Sequence, residues 1–251
     1  LRVGFSALLL LLIWRPWRWP VAQADRMSLL RYGVALGLMN LLFYMSLRTI
    51  PFGIAVAIEF SGPLAVALYS SRKPVDFVWL ALAIAGLGLL LPFGGNVQAL
   101  DVTGVLYALA AAAFWGAYIV FGKRLGHLHA GHSVALGLTV AAITVVPFGI
   151  WHAGAALLAP QTLLIGLVVA AISSAIPISL EMVALKRLPQ EAFGIMTSME
   201  PAVAALLGLL MLNEQLNAQQ WWAILCIMAA AAGSTLTARR EPPVVAAELV
   251  Q

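Results

Sequence analysis

"LRTIPFGIAVAIEFSGPLAVAL" covers residues 47–68, and "LKRLPQEAFGIMTSMEPAVAAL" covers residues 185–206. Laid over one another, they pair Leu47 with Leu185, Arg48 with Lys186, Pro51 with Pro189 and Pro63 with Pro201. Apolar stretches match easily by chance. A basic turn followed by two prolines at the same spacing does so far less often, and it points to a chain built from two related halves.

The solvent of those halves follows from composition. Of 251 residues, 63% are hydrophobic and only 10% are charged, which leaves too little polar surface to face water and reads as a multi-pass membrane protein. Nine apolar segments are expected to be helical, near 1–13, 29–46, 53–70, 75–93, 102–121, 132–151, 161–183, 192–211 and 219–237. The turns between them are short and rich in Pro, Gly and charge, as in "SSRKPVD" at 70–76 and "LNEQLN" at 212–217. No linker is long enough to separate soluble domains.

Charge placement sets topology. Twelve of the fourteen Lys and Arg residues fall in alternate connections: Arg15, Arg18, Arg26 and Arg31, then Arg72 and Lys73, Lys123 and Arg124, Lys186 and Arg187, Arg239 and Arg240. The positive-inside rule makes that side cytoplasmic, with the C-terminus inside. The net charge of +4 therefore reports orientation and not a nucleic-acid partner. Trp14, Trp17 and Trp19 fit an interfacial aromatic belt beside the first arginines. The single cysteine, Cys226, lies in an apolar run and offers no disulfide framework.

With this topology the helix after Arg48 and the helix after Lys186 run through an inverted pair of repeats, which requires an odd number of helices per repeat. Extending the match pairs the first of the nine helices with the sixth and the fourth with the ninth. The helix at 102–121 is left without a mate, so a ten-helix, five-plus-five arrangement is expected, with a further helix before Leu1. The expected fold is an all-α polytopic membrane bundle. Its first repeat is 1–93, its second 102–240, and residues 241–251 form a cytoplasmic tail.

Chemistry is sought in residues that a membrane makes expensive. A charge at the bilayer centre costs roughly 2.5–3.5 kcal/mol on insertion scales, so such residues face the interior of a bundle. Glu59, among Val56, Ala57, Ile58 and Phe60, lies roughly 9 Å along its helix from the outer end at 1.5 Å per residue. Glu200 reads as nearer the middle of its own helix. Both are candidates for the substrate site and for proton coupling, against the alternative that they bond to neighbouring helices.

Prolines free a carbonyl one turn earlier, tolerable in a membrane only where something polar answers it. Pro63, Pro201 and Pro177 are candidate helix breaks of this kind, with Ser173 and Ser174 ahead of Pro177. A zwitterionic ligand needs acceptors for its ammonium and donors for its carboxylate. The glutamates and freed carbonyls supply acceptors; Asn40, Tyr44, Trp115 and Tyr118 are the candidate donors or stacking surfaces. Interhelical bonding competes with this role for Asn40 and Tyr44, and plain packing for Trp115 and Tyr118. Glu181 reads as lying near the inner interface, where simple solvation and a functional role are equally open, and Gly33 and Gly37 read as close-packing positions. "HLHAGH" spaces His127, His129 and His132 like metal ligands, but in a short turn with no carboxylate or cysteine nearby in sequence, so a solvated loop and no metal is expected. Neither HExxH nor Gly-x-Ser-x-Gly occurs, which argues against an intramembrane enzyme and leaves no cofactor implied.

"YGVALGLMNLLFYMSLRTIPFGIAVAIEFSGPLAVALYSSRKPVDFVW" (32–79) and "SLEMVALKRLPQEAFGIMTSMEPAVAALLGLLMLNEQL" (179–216) closely resemble the threonine/homoserine exporters in the EamA branch of the drug/metabolite transporter superfamily. The resemblance covers nearly the whole chain. It implies a ten-helix carrier of the bacterial inner membrane that exports threonine, homoserine and similar small amino acids, driven by proton entry. A carrier of the same fold for another small solute is the alternative; a receptor or structural protein would move no solute.

Overall fold

All nine apolar segments form helix in the structure, a computed structural model that describes residues 1–18, 21–70, 74–90, 100–177, 180 and 196–237. In chain order the helices are α1 (Arg2–Trp14), α2 (Gln23–Ser46), α3 (Phe52–Glu59), α4 (Ser61–Ser70), α5 (Asp76–Leu90), α6 (Val102–Arg124), α7 (Ala130–Ala153), α8 (Pro160–Ala170), α9 (Glu200–Met211) and α10 (Ala218–Thr237). Four of these, α2, α6, α7 and α10, are long and apolar enough to cross a bilayer by themselves. No strand occurs among the described residues.

Where the helices depart from the apolar segments, the causes are local. α2 starts at Gln23 rather than near 29, because polar residues extend a helix into the interface without entering hydrocarbon. The expected helix at 53–70 is two helices. Pro63 has no N–H to give the carbonyl of Glu59 one turn back, and the chain turns at Phe60, where the next bond, Leu64 N–H to Phe60 O, is stretched to 3.4 Å. The segment near 161–183 leaves α8 through a π-helical turn, Ala171–Ala175, that contains both Ser173 and Ser174 and precedes Pro177. The segment near 192–211 is interrupted at Met199, two residues before Pro201 in the first turn of α9. Every proline singled out as a helix break lies beside an irregularity.

The core is built on α3. Residues Gly53 to Phe60 are all buried, and Ile54 and Ile58 pack with Ala205 of α9, Ile224 and Ile227 of α10 and Ala108 of α6. Large side chains that face outward, such as Leu12, Ile143, Trp151 and Leu210, are the lipid-facing complement of that core. Small residues let backbones meet: a Cβ at Gly62 would strike the backbone of Ala112 in α6, and one at Gly53 the backbone of Ala205. Tyr32 of α2 lies with its ring against Gly122 of α6 on one side and Gly137 of α7 on the other.

Bonds between turns sort the connections onto two ends of the bundle. At one end Phe52 N–H donates to both carboxylate oxygens of Glu214, at 3.0 and 2.9 Å, and Gln219 Nε2 donates to Leu89 O at 2.7 Å. At the other, His127 Nε2 lies 3.0 Å from Asp25 Oδ2, and Trp79 Nε1 donates to Thr237 Oγ1 at 3.0 Å. The arginines and lysines of the first and fifth connections belong to this second end. The Asp25 contact corrects the reading of the histidine turn, which is remote from any carboxylate only in sequence. Among the described residues no group of His, Cys, Asp or Glu has the makings of a metal site.

Of the tryptophan belt, Trp17 is exposed, whereas Trp14 packs into the α1–α7 seam with its ring centroid 5.3 Å from that of His129; Trp19 lies outside the described residues. So do Arg72, Lys73, Glu181, Lys186, Arg187, Pro189, Arg239, Arg240 and the 241–251 tail.

Candidate functional site

The freed carbonyl and the carboxylate of one residue mark the site. Glu59 is the last residue of α3 and only 7% exposed. Its backbone oxygen is the one Pro63 leaves without a helical donor, and Ser61 Oγ answers the neighbouring carbonyl of Ile58 at 2.6 Å. Glu200 stands at the opposite kind of terminus, opening α9 after the break at Met199. It is not at mid-helix as the apolar run suggested, because Pro201 favours the first turn of a helix over its interior. There the helix dipole favours a carboxylate.

Glu59 and Glu200 line one cavity of about 210 Å³ and interact electrostatically. Asn40, Tyr44 and Trp115 line the same cavity. Asn40 and Tyr44 reach it from one face of α2, four residues apart, which is the spacing that stacks side chains along a helix. Asn40 Nδ2 is anchored on Leu36 O at 2.9 Å, which fixes its amide oxygen toward the cavity side. Trp115 of α6 is held edge-on against Phe60, centroids 5.8 Å apart and planes at 88°. Met39 and Phe43 complete an apolar wall.

Tyr118, named with Trp115 from the sequence, is placed elsewhere. Its ring stacks on Tyr32 with centroids 4.7 Å apart, and the two hydroxyls lie 3.2 Å apart. The i, i+3 spacing put it near the face of Trp115, but the glycines around Tyr32 draw it into a separate cluster with Leu29 and Leu125.

Sequence reading missed two residues. Arg2, in the first turn of α1, also lines the cavity; it donates to Asn40 Oδ1, and its guanidinium carbon lies 5.2 Å from the centre of the Tyr44 ring. Only its position at the edge of an apolar run, where a charge reads as interfacial, concealed it. Glu214 in the "LNEQLN" turn is the third carboxylate of interest and has a structural task, capping the N-terminus of α3.

The arrangement does the work of a carrier and not of a catalyst. A multi-pass helical bundle that keeps acids, an amide and a cation on one small cavity between broken helices defines a membrane solute transporter. The chain belongs to the EamA-like transporter family, whose model matches residues 102–236. It is 51% identical over 220 residues to the threonine/homoserine exporter RhtA of Escherichia coli K12, covering 88% of this chain and 75% of that protein. The exporter of the same name from Salmonella typhimurium LT2 matches to the same extent. An uncharacterized transporter of Bacillus subtilis, YwfM, is 27% identical over 89% of this chain and 78% of its own. A protein crystal structure superposes with a TM-score of 0.57 at 20% identity, over 95% of this chain and 87% of that one, a likeness of fold.

Proposed function

We propose that the chain exports threonine, homoserine and related small amino acids across the bacterial inner membrane by proton antiport. The observation that carries this reading is the cavity itself. It offers carboxylates and a freed carbonyl for an ammonium, beside groups that donate to a carboxylate, within a volume of about 210 Å³. Pockets for drug-sized ligands run to roughly 300–1,000 Å³, so the size favours a small solute over a drug. The relatives named as threonine/homoserine exporters supply the substrate.

In this mechanism a deprotonated glutamate takes the substrate's ammonium from the cytoplasm. A proton from outside then competes for the same carboxylate and releases the substrate there. Alternation of access comes from one repeat rocking against the other. The packing supports such a two-fold plan in three of the four pairs matched by the internal repeat: α1 meets α7, α3 meets α9 and α5 meets α10, while α2 packs on α6 and α7. The test is efflux of labelled threonine and homoserine from preloaded vesicles carrying the chain. Efflux above that of protein-free vesicles, quickened by an imposed inward proton gradient, is the expected result. Flux of neither amino acid, or flux indifferent to the gradient, would refute the substrate or the coupling respectively.

The basic end of the bundle is the cytoplasmic end in this reading, with the C-terminus inside. Single cysteines introduced by Lys123→Cys and Gln98→Cys in a Cys226→Ala background should react with an impermeant maleimide from opposite faces of the membrane. Labelling from one face would overturn the topology and with it the inverted repeat.

A further inference from the structure

We infer that Arg2 is the residue that holds the substrate's carboxylate, and so confines transport to solutes with a free α-carboxylate; this rests on the reading that the cavity takes an amino acid. Arg2 is the cation among the described residues that line the cavity. Yet among the described residues it is in no ion pair, although Glu59 and Glu200 line the same space. Its partners are neutral: the amide oxygen of Asn40 and the face of the Tyr44 ring. Its Nε is buried with no hydrogen-bond acceptor at all.

A donor in that state costs free energy that an acceptor would recover. A carboxylate taken side-on, across Nε and a terminal nitrogen, is the ligand whose geometry matches the guanidinium fork. Asn40 and Tyr44 hold the fork in place, and in this reading Glu59 takes the ammonium. The two ends of a zwitterion thus find opposite charges on α1 and on α3 with α9. A ligand lacking its carboxylate would leave the guanidinium unanswered, and discrimination of that kind is steep because a buried polar group is left unpaired.

The test compares L-threonine with L-threoninamide as competitors of labelled-threonine efflux in vesicles. Wild-type chain should prefer threonine by about 10- to 100-fold, the range expected of a hydrogen bond to a charged group. Arg2→Gln should abolish that preference, and Arg2→Lys, which keeps the charge but loses the fork, should retain part of it. Glu59→Gln should weaken both competitors and keep the preference. A merely structural Arg2 would weaken threonine and threoninamide alike. Equal loss for both in Arg2→Gln and Arg2→Lys, or an undisturbed preference in Arg2→Gln, overturns the assignment. If the wild type moves a different amino acid and not threonine, the substrate reading falls while the same comparison, made with that amino acid and its amide, still decides the role of Arg2. A wild type that moves no amino acid overturns both.

Discussion

Vesicles carrying Glu59→Gln should contain near-normal amounts of protein and release threonine at least about tenfold more slowly than the wild type, the lower bound set by losing a charged hydrogen bond. The substitution preserves the volume of the side chain and one oxygen acceptor, so the packing of α3 against Ile224 and Ile227 has nothing to adjust to. What it removes is the charge proposed to hold an ammonium, on a side chain only 7% exposed, where water cannot take over. Insertion should not suffer, because a neutral amide is cheaper in a bilayer than a carboxylate. Abundance on one side and flux on the other separate a site residue from a structural one. Undiminished efflux per molecule would return Glu59 to the role of a tolerated, helix-bonding acid.

Gly62→Val should cost more than activity. A Cβ at this position would run into the carbonyl oxygen of Ala112, and into its carbonyl carbon and Cα behind it. These are backbone atoms of α6, which is itself backed by α2, so neither helix can move aside without disturbing a second seam. Overpacking against a flexible side chain costs about 1–3 kcal/mol; against backbone the cost lies at the upper end of that range or above it. The expected result is a several-fold fall in membrane abundance and a lower thermal midpoint in detergent. Gly149→Ala is the control, since a Cβ at Gly149 meets nothing within 4 Å, and its stability should match the wild type. Equal behaviour of the two variants would refute the claim that Gly62 sets the approach of α4 to α6.

Periodicity and cost made much of this molecule readable in advance. Membrane insertion penalises isolated charges, so Glu59 and Glu200 announced themselves, and an i, i+4 spacing was enough to bring Asn40 and Tyr44 to one place. Pro63, Pro177 and Pro201 announced where helices become irregular, because a missing N–H is a local fact, although α7 runs on through Pro147. Where a side chain lands across the bundle is not local, and for Tyr118 the sequence misled. Tyr118 shares a face with Trp115 on paper, yet the room left by Gly122 and Gly137 decides where its partner Tyr32 goes. Arg2 was hidden for a related reason: a charge at the end of an apolar segment is cheap if it points to the interface and informative if it points inward. Nothing in the order of residues distinguishes the two. Glu214 was hidden likewise, since its ligand is the N–H of a residue far away in sequence, Phe52.

The ring of Tyr32, wedged between Gly122 and Gly137, has a mechanical meaning. Its two edges abut the glycine backbones and one face lies on the Tyr118 ring, so α2 of the first repeat bears directly on α6 and α7 of the second at this level. In the proposed cycle this contact is the pivot about which one repeat rocks against the other. The wider excursions of that proposed cycle then fall to the other half of the cavity wall, carried by the chain interrupted at Phe60 and Met199. Both glutamates sit at those two joints, where a small rotation would swing the acids toward one face of the membrane or the other while Asn40 and Tyr44 stay with α2.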